Sequence, residues 1–575
     1  MERRQPTEQQ RVVIEDKKGL FVVRACPGSG KTFSVAARFH RLLSDWEQAN
    51  QGIAAISFTN VAWTEIQEYL AAEFRVSKIS YPHFLGTIDS FINRFIFLPF
   101  GHLAMKCDTR PTLWGPPHNT REPIGDFLFW RQAACNKKCC RLNDFTYDLN
   151  GNVVGLKADK RGQNCTESKK PCIGYKKNFS SKGNATQSDA NYWALEVLRS
   201  FPGIAAAIAR RFPLMMVDEA QDTSSVQMAI IDELVKSGLN ELMLVGDPDQ
   251  AIYEWREAEP QLFISKSEKW AQNSVLLTEN WRSSQTICDV TSKMSSAREP
   301  MTAVNPHLAA VNIGPKVFGY QDTAELPELA RKFAENCRCL GVESADTHVL
   351  TRGRDFLNAI VPGTTPVRAD PWVDDAPLTP NIARAKYLLD NGRLREANHV
   401  WEQVVPDPGH SPKRAVFVSG QEFAARGQHY ALLRAMPATT GTTLGTWAVE
   451  ASQYFANTSV LSHVAIRIKR KSNVCDYASL KFGDVFGHPA DEDVTGEFCL
   501  GTVHAVKGQS LEAVLLVLKN KPPSSKAYPK LIVEATLGST EELRIVYVGL
   551  TRAQRVLSLA VPFSDVDAWT AYLSL

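Results

Sequence analysis

The string ACPGSGKT, Ala25–Thr32, stands directly after the apolar run LFVVRA that begins at Leu20. It fits the phosphate-binding loop pattern, with Ala25 where the generic form has glycine. Glycines let the backbone turn tightly, so that successive N–H groups and the N-terminus of the following helix face a polyphosphate. In such a loop Ala25, Cys26, Pro27, Gly28, Ser29 and Gly30 form the cradle, Lys31 reaches the β and γ phosphates, and Thr32 holds Mg²⁺. Taken alone, the string also fits a chance Gly-rich turn. Strand and helix patterns on its two sides favour the cradle, and they commit this part of the chain to an α/β fold.

The same texture recurs along the chain. IAAIS from Ile53, LMMVD from Leu214, ELMLVG from Glu241 and SVLLT from Ser274 are short apolar runs with helical patterns between them, which predicts a parallel sheet. A second set, KVFG from Lys316, THVLT from Thr347, FCLGTV from Phe498, AVLLVL from Ala513 and VLSLA from Val556, predicts a second α/β domain. Two stretches poor in such runs interrupt them. The expected organisation is a first domain of residues 1–92 and 189–282, a basic insertion at 93–188, a second domain of 283–360 and 495–575, and a second insertion at 361–494. Within the first insertion, Arg131 to Lys182 holds twelve Lys or Arg against four Asp or Glu, which suits either a solvated surface or a phosphate-contacting face. In the second, YLLDNGRLREANHVWEQVV from Tyr387 reads as an amphipathic helical stretch that packs a core.

Composition narrows the class. Of 575 residues, 44% are hydrophobic, 22% charged and 9% aromatic, which excludes a collagen-like or wholly disordered chain. No apolar run approaches the ~18 residues of a membrane span, and MERRQPTEQQ lacks the apolar stretch of a secretory signal, so a cytoplasmic setting without membrane partners is expected. A net charge of +3 means that any nucleic acid must be held by a local groove and not by a global field. Twelve cysteines are too sparse for a disulfide scaffold. Cys135, Cys139, Cys140, Cys165 and Cys172 cluster in the basic insertion but lack a CxxC pair, so ordinary thiols are expected over a metal site.

LMMVDEAQD ends a core run with Asp218 and Glu219. Beside a phosphate cradle, Asp218 suits Mg²⁺ binding and Glu219 suits a general base that polarises the attacking water. A strand-terminal acidic pair that merely caps a helix is the alternative.

With these, the motifs resemble superfamily 1A DNA helicases of the UvrD/Rep type, in that family's order across nearly the whole chain. TEQQ at Thr7–Gln10 resembles the adenine-reading motif, with Gln10 the better placed glutamine. ISFTN (Ile56–Asn60) and GTIDSF (Gly86–Phe91) resemble segments that touch single-stranded DNA, Asp89 replacing the usual histidine. VGDPDQAIYEWREA (Val245–Ala258), ENWRS (Glu279–Ser283), TVHAVKGQSLEAV (Thr502–Val514) and VYVGLTRAQR (Val546–Arg555) match the remaining motifs. The resemblance implies two RecA-like parallel-sheet P-loop domains, each with a mainly helical insertion, and an ATPase with ATP and Mg²⁺ bound between them. It assigns γ-phosphate contacts to Gln250, Arg282 and Arg552, and adenine stacking to Trp281, for which a buried core tryptophan is the bland alternative. Phe58, Thr59, Asn60, Tyr253, Trp255 and His504 become the expected DNA track, although Phe58 and Trp255 also suit plain packing and a lone histidine is usually structural.

The implied activity is 3′ to 5′ translocation on single-stranded DNA or single-strand/duplex junctions. Departures are specific. Gln509 and Ser510 follow Lys507 and Gly508 where the family commonly has Leu-Glu, removing an expected ribose contact that Glu512 would have to replace. About twenty residues follow Arg555, which leaves no room for a nuclease domain, so DNA cutting is expected to need a partner. The chain's size and its local strings also resemble the helicase subunits of Gabija-type anti-phage systems. Those work with a separate ATP-binding nuclease, which makes an end-sensing ATPase with little unwinding the alternative reading.

Overall fold

A computed structural model of the chain describes residues 5–114, 145–155, 169–252, 259–361, 371–373, 378–401, 404, 430–458, 466–469, 476–486, 493–494, 496–518 and 541–573. The chain divides into two compact units, residues 1–353 with 494–575, and residues 354–493.

The larger unit holds two six-stranded sheets. The first comprises β1 (Leu20–Ala25), β2 (Ile53–Ser57), β3 (Phe84–Thr87), β4 (Leu214–Asp218), β5 (Glu241–Gly246) and β6 (Val275–Leu277), in the order β6-β1-β5-β4-β2-β3. Every pairing in it is parallel. IAAIS and LMMVD are buried at every position, as parallel strands covered on both faces must be. Alternate residues serve opposite cores. Val22, Ala54, Ile56, Met215 and Val217 enter one, while Phe21, Val23, Ile53, Ala55 and Met216 enter the other with helices Lys31–Ser44 and Asn60–Phe74. The first core also takes Phe91, Ile96, Phe97 and Tyr147, so described parts of residues 93–188 pack directly on this sheet.

The second sheet's five longer strands are β7 (Lys316–Tyr320), β8 (Thr347–Thr351), β9 (Cys499–Thr502), β10 (Leu511–Val517) and β11 (Ala553–Pro562). They run in the order β7-β11-β10-β8-β9, again all parallel. Helix Glu541–Leu550 packs Ile545, Val546 and Val548 against it. Because the strands of each sheet are parallel, the loops after Ala25, Ser57, Asp218 and Gly246 leave the first sheet at one edge, where ligands bind in open α/β sheets.

The smaller unit has its own core, built from helices Thr379–Asp390, Leu394–Trp401 and Leu444–Ala456 around the fully buried Trp447. The single amphipathic stretch expected from Tyr387 is two helices. Gly392, at φ +76°, turns the chain between them, yet Tyr387, Leu388, Ala397, Val400 and Trp401 still share one core. Among the described residues no helix is long and apolar enough to cross a membrane.

Candidate nucleotide site between two sheets

The loop after β1 turns through two left-handed glycines, Gly28 and Gly30, both at φ +75°, and Gly30 is the N-cap of the 14-residue helix Lys31–Ser44. A helix start carries N–H groups without intrahelical acceptors, and here they open beside the loop. The loop is braced from outside. The Asn280 side-chain amide donates to the Pro27 carbonyl at 2.8 Å, and the Trp281 N–H donates to the Gly28 carbonyl at 2.9 Å. A Cβ on Gly28 would lie 2.6 Å from Asn280 Oδ1 and 2.7 Å from Arg282 Cβ, so only glycine fits that contact.

Gln10 braces the loop from the other side. Its Nε2 donates to the Ser29 carbonyl at 2.7 Å while its Oε1 accepts from the Thr7 N–H at 3.1 Å. Both ends of this buried amide are therefore engaged. Gln9, the other glutamine of TEQQ, accepts from the Thr278 N–H at 2.8 Å and ties the same turn to the end of β6.

At the end of β4, Asp218 is 1% exposed, and its Oδ2 is buried without a hydrogen-bond partner. Burial, and then the Glu219 charge, push its carboxyl up to about 8. Glu219 follows in a left-handed conformation, φ +52°, which is strained for a residue with a side chain. Burial alone would raise Glu219, but Lys31, Lys507, the Gln221 amide and Arg552 together hold it below the ordinary carboxylate range. Glu65, from helix Asn60–Phe74, is raised by burial and by the Glu219 charge.

The second sheet, with Arg552 and Lys507, and the segment after β6, with Arg282, bring cations to the same place. Arg552, fully buried, donates to Gln250 Oε1 at 2.9 Å, and Gln250 donates in turn to Asp247 Oδ2 at 2.6 Å. Arg282 donates to Ser510 Oγ at 2.8 Å, to the Thr551 carbonyl at 3.2 Å and to the Gly508 carbonyl at 3.3 Å. Lys507 Nζ lies 2.7 Å from Asp222 Oδ2. Between the lobes lies a cleft of about 740 Å³. From the first lobe it is lined by Gly28, Ser29, Gly30, Lys31, Thr32, Glu219 and Gln250, and from the other side by Trp281, Arg282, Lys507, Ser510 and Arg552.

The sequence-derived nucleotide residues thus meet, with distinctions. Ala25, Cys26 and Asp218 are buried in the wall, and the Pro27 carbonyl is engaged by Asn280. Glu512 does not take the place left by the missing ribose carboxylate, because it pairs with Arg555 and lies outside the cleft lining. Ser510, at that place, binds Arg282 instead.

Of the expected DNA residues, the structure describes Phe58, Thr59, Asn60 and His504. Thr59 caps helix Asn60–Phe74 by accepting from the Ala62 N–H at 3.2 Å, and it lines the cleft. His504 also lines that cleft; its ring bonds the backbone of Ile252 and Arg352, and burial lowers its pKa. Phe58 is half-buried just past β2, and Asn60 opens the next helix. Tyr253 and Trp255 lie outside the described residues, as do Cys135, Cys139, Cys140 and Cys165 and the side chain of Cys172. Asp89 accepts from Gln227 at 2.9 Å and from Asn191 at 3.1 Å.

Sequence reasoning missed Asn280, Gln221, Asp222 and Lys507 as working parts. Gln221 and Asp222 complete the DEAQD string, and Lys507 sits inside TVHAVKG, so the signal was present in the immediate neighbours of the expected residues.

Residues 6–271 match the family model of the UvrD/REP helicase N-terminal domain. A 109-residue stretch is 39% identical to an ATP-dependent helicase/nuclease subunit of Streptococcus pneumoniae, covering 18% of this chain and 9% of that protein. An 83-residue stretch is 45% identical to the protein of the same name from Lactobacillus delbrueckii subsp. bulgaricus, covering 13% of this chain and 7% of that protein. Another S. pneumoniae relative, 38% identical over 109 residues, is named exonuclease/helicase subunit RexA. The matched stretch spans about a tenth of the length of these curated relatives.

Proposed function

We propose that this chain, with its UvrD/REP-type N-terminal domain, is an ATP-driven motor that moves 3′ to 5′ on single-stranded DNA. The observation that carries the reading is the convergence of Lys31 and Glu219 from the first sheet's loops with Arg282 and with Arg552 of the second lobe on a single cleft, with Asp218 buried in its wall. A nucleotide bridging two lobes makes its hydrolysis a change in their separation, which is the bistable element a translocase requires.

The residues suit ATP and Mg²⁺. Thr32 and the unpartnered Oδ2 of Asp218 offer oxygen to a divalent cation, the donor type that Mg²⁺ takes. When bound, Mg²⁺ would supply charge that neutralises the phosphates. The loop N–H groups and Lys31 bind the phosphates, and Trp281 offers an aromatic face for the base. Glu219, kept ionised by Lys31 and Lys507, orients water and accepts its proton. Arg282, Arg552 and Gln250 meet the γ-phosphate. An arginine in this role is worth ~10³ to 10⁵ in rate.

The printed names of the relatives join helicase to nuclease, which supports a second reading. In it the chain is an ATPase that senses DNA ends and activates a partner nuclease, with little unwinding of its own. Duplexes with a 3′ or a 5′ single-stranded tail separate the two. The motor reading expects strand separation from the 3′ tail alone. ATP hydrolysis on both substrates with no strand separation would favour the sensor.

A further inference from the structure

The second lobe grips the first at several points: Arg552 on Gln250, Arg544 on the Ala251 carbonyl at 2.6 Å, and Lys507 on Asp222. Lys507–Asp222 is an ion pair that crosses between the lobes, and its side chains are only 9% and 1% exposed. What lies behind Asp222 makes this pair different from a simple clasp. The side-chain amide of Gln221, itself fully buried, donates both to Asp222 Oδ2, at 3.4 Å, and to Glu219 Oε2. Its carbonyl oxygen accepts from the Asp247 N–H at 3.0 Å, which fixes which way the amide faces. Gly246 leaves the room for this, since a Cβ there would lie 2.3 Å from Gln221 Oε1. A continuous chain therefore runs from Lys507 in the second lobe through Asp222 and Gln221 to the carboxylate of Glu219.

We propose that Lys507 is a positioning residue that couples closure of the lobes to the orientation of Glu219, through Asp222 and Gln221. The inference rests on the reading of the cleft as an ATP-hydrolysing site. With the lobes closed, the ammonium is the close partner of Asp222, at 2.7 Å, so the Gln221 amide keeps only a 3.4 Å bond to Asp222 and makes its shorter bond to Glu219, which sits in its strained left-handed turn. With the lobes apart, Asp222 is a carboxylate without its cation, and it draws the shared Gln221 amide towards itself. Glu219 then loses the hydrogen bond that aims it. Hydrolysis would thus be timed to closure by a bond on the first lobe's own turn, separately from the arginines that reach the phosphate.

The test compares Lys507→Met, Lys507→Arg and Asp222→Asn in the full chain. Turnover of ATP in Lys507→Met should fall about 10- to 100-fold, the range expected when a reacting group is misplaced by about an ångström. Binding of a fluorescent ATP analogue should change less than about threefold. Lys507→Arg should recover most of the turnover. Lys507→Met combined with Asp222→Asn should be no worse than Lys507→Met alone, because the substituted side chain carries no charge with which to compete. Equal losses in binding and turnover, or unchanged turnover in Lys507→Met, would overturn the proposal. Backbone amide exchange across residues 219–223 decides it independently of activity: faster exchange is expected in Lys507→Met and not in Lys507→Arg. An inactive wild-type protein would sink the ATPase reading, and the exchange comparison would still show whether Lys507 holds this turn.

Discussion

Asp247 illustrates how single residues carry the tension of the site. Its carboxylate accepts from the Asp249 N–H at 3.0 Å and from Gln250 at 2.6 Å while almost fully buried. Burial first, and then the Asp249 charge, push it from an ordinary 3.8 up to about 6. A carboxyl raised on folding stabilises the fold fully below its unfolded value, and that contribution is lost as pH rises through the folded value. Between about pH 4 and pH 7 the native protein should therefore lose stability at this residue, by on the order of 1–3 kcal/mol. Asp247→Asn cannot titrate there. Thermal melts of both proteins should show the difference moving in favour of Asp247→Asn as pH rises from about 5 to about 7, and a constant difference would contradict the assignment. At the same scale, the glycines of ACPGSGKT were legible because their φ values and the close approach of Asn280 leave no alternative. The partners of Gln10 were not legible. A glutamine has a donor and an acceptor, and only the fold decides that both are used, one on the loop and one on Thr7.

At the scale of elements, the strands could be read because parallel strands covered on both faces are nearly unbroken apolar runs. LMMVD and THVLT are buried at every position. Helix continuity was harder to read. The run from Tyr387 keeps a helical period on both sides of Gly392, so periodicity alone could not reveal that the chain turns there. Its core role was legible from the same pattern. Trp447 anchors that core, fully buried, with its indole N–H donating to the Pro437 carbonyl at 3.1 Å and its ring edge-on to Phe482 at 5.2 Å. Trp447→Ala should cost about 3–5 kcal/mol. Amide exchange within helices Thr379–Asp390 and Leu444–Ala456 should accelerate, and unchanged protection there would show that the core does not depend on this side chain.

For the whole molecule, the cleft was readable because ACPGSGKT, the DEAQD string and GDPDQ each follow a strand, and parallel strands bring those ends to one edge. The contacts between lobes were less readable. Lys507 and Asp222 are 285 residues apart, and no local pattern says that they meet. Thr59 and His504, expected on a DNA track, line the cleft that holds Lys31. If DNA drives nucleotide turnover in this cleft, the decisive experiment is steady-state ATP hydrolysis with and without a single-stranded DNA oligonucleotide, with Lys31→Ala as control. A DNA-coupled motor should show a rate that rises at least about tenfold with DNA and is abolished in Lys31→Ala. An ATP-hydrolysing protein indifferent to DNA, or a Lys31→Ala variant that still turns over, would contradict it.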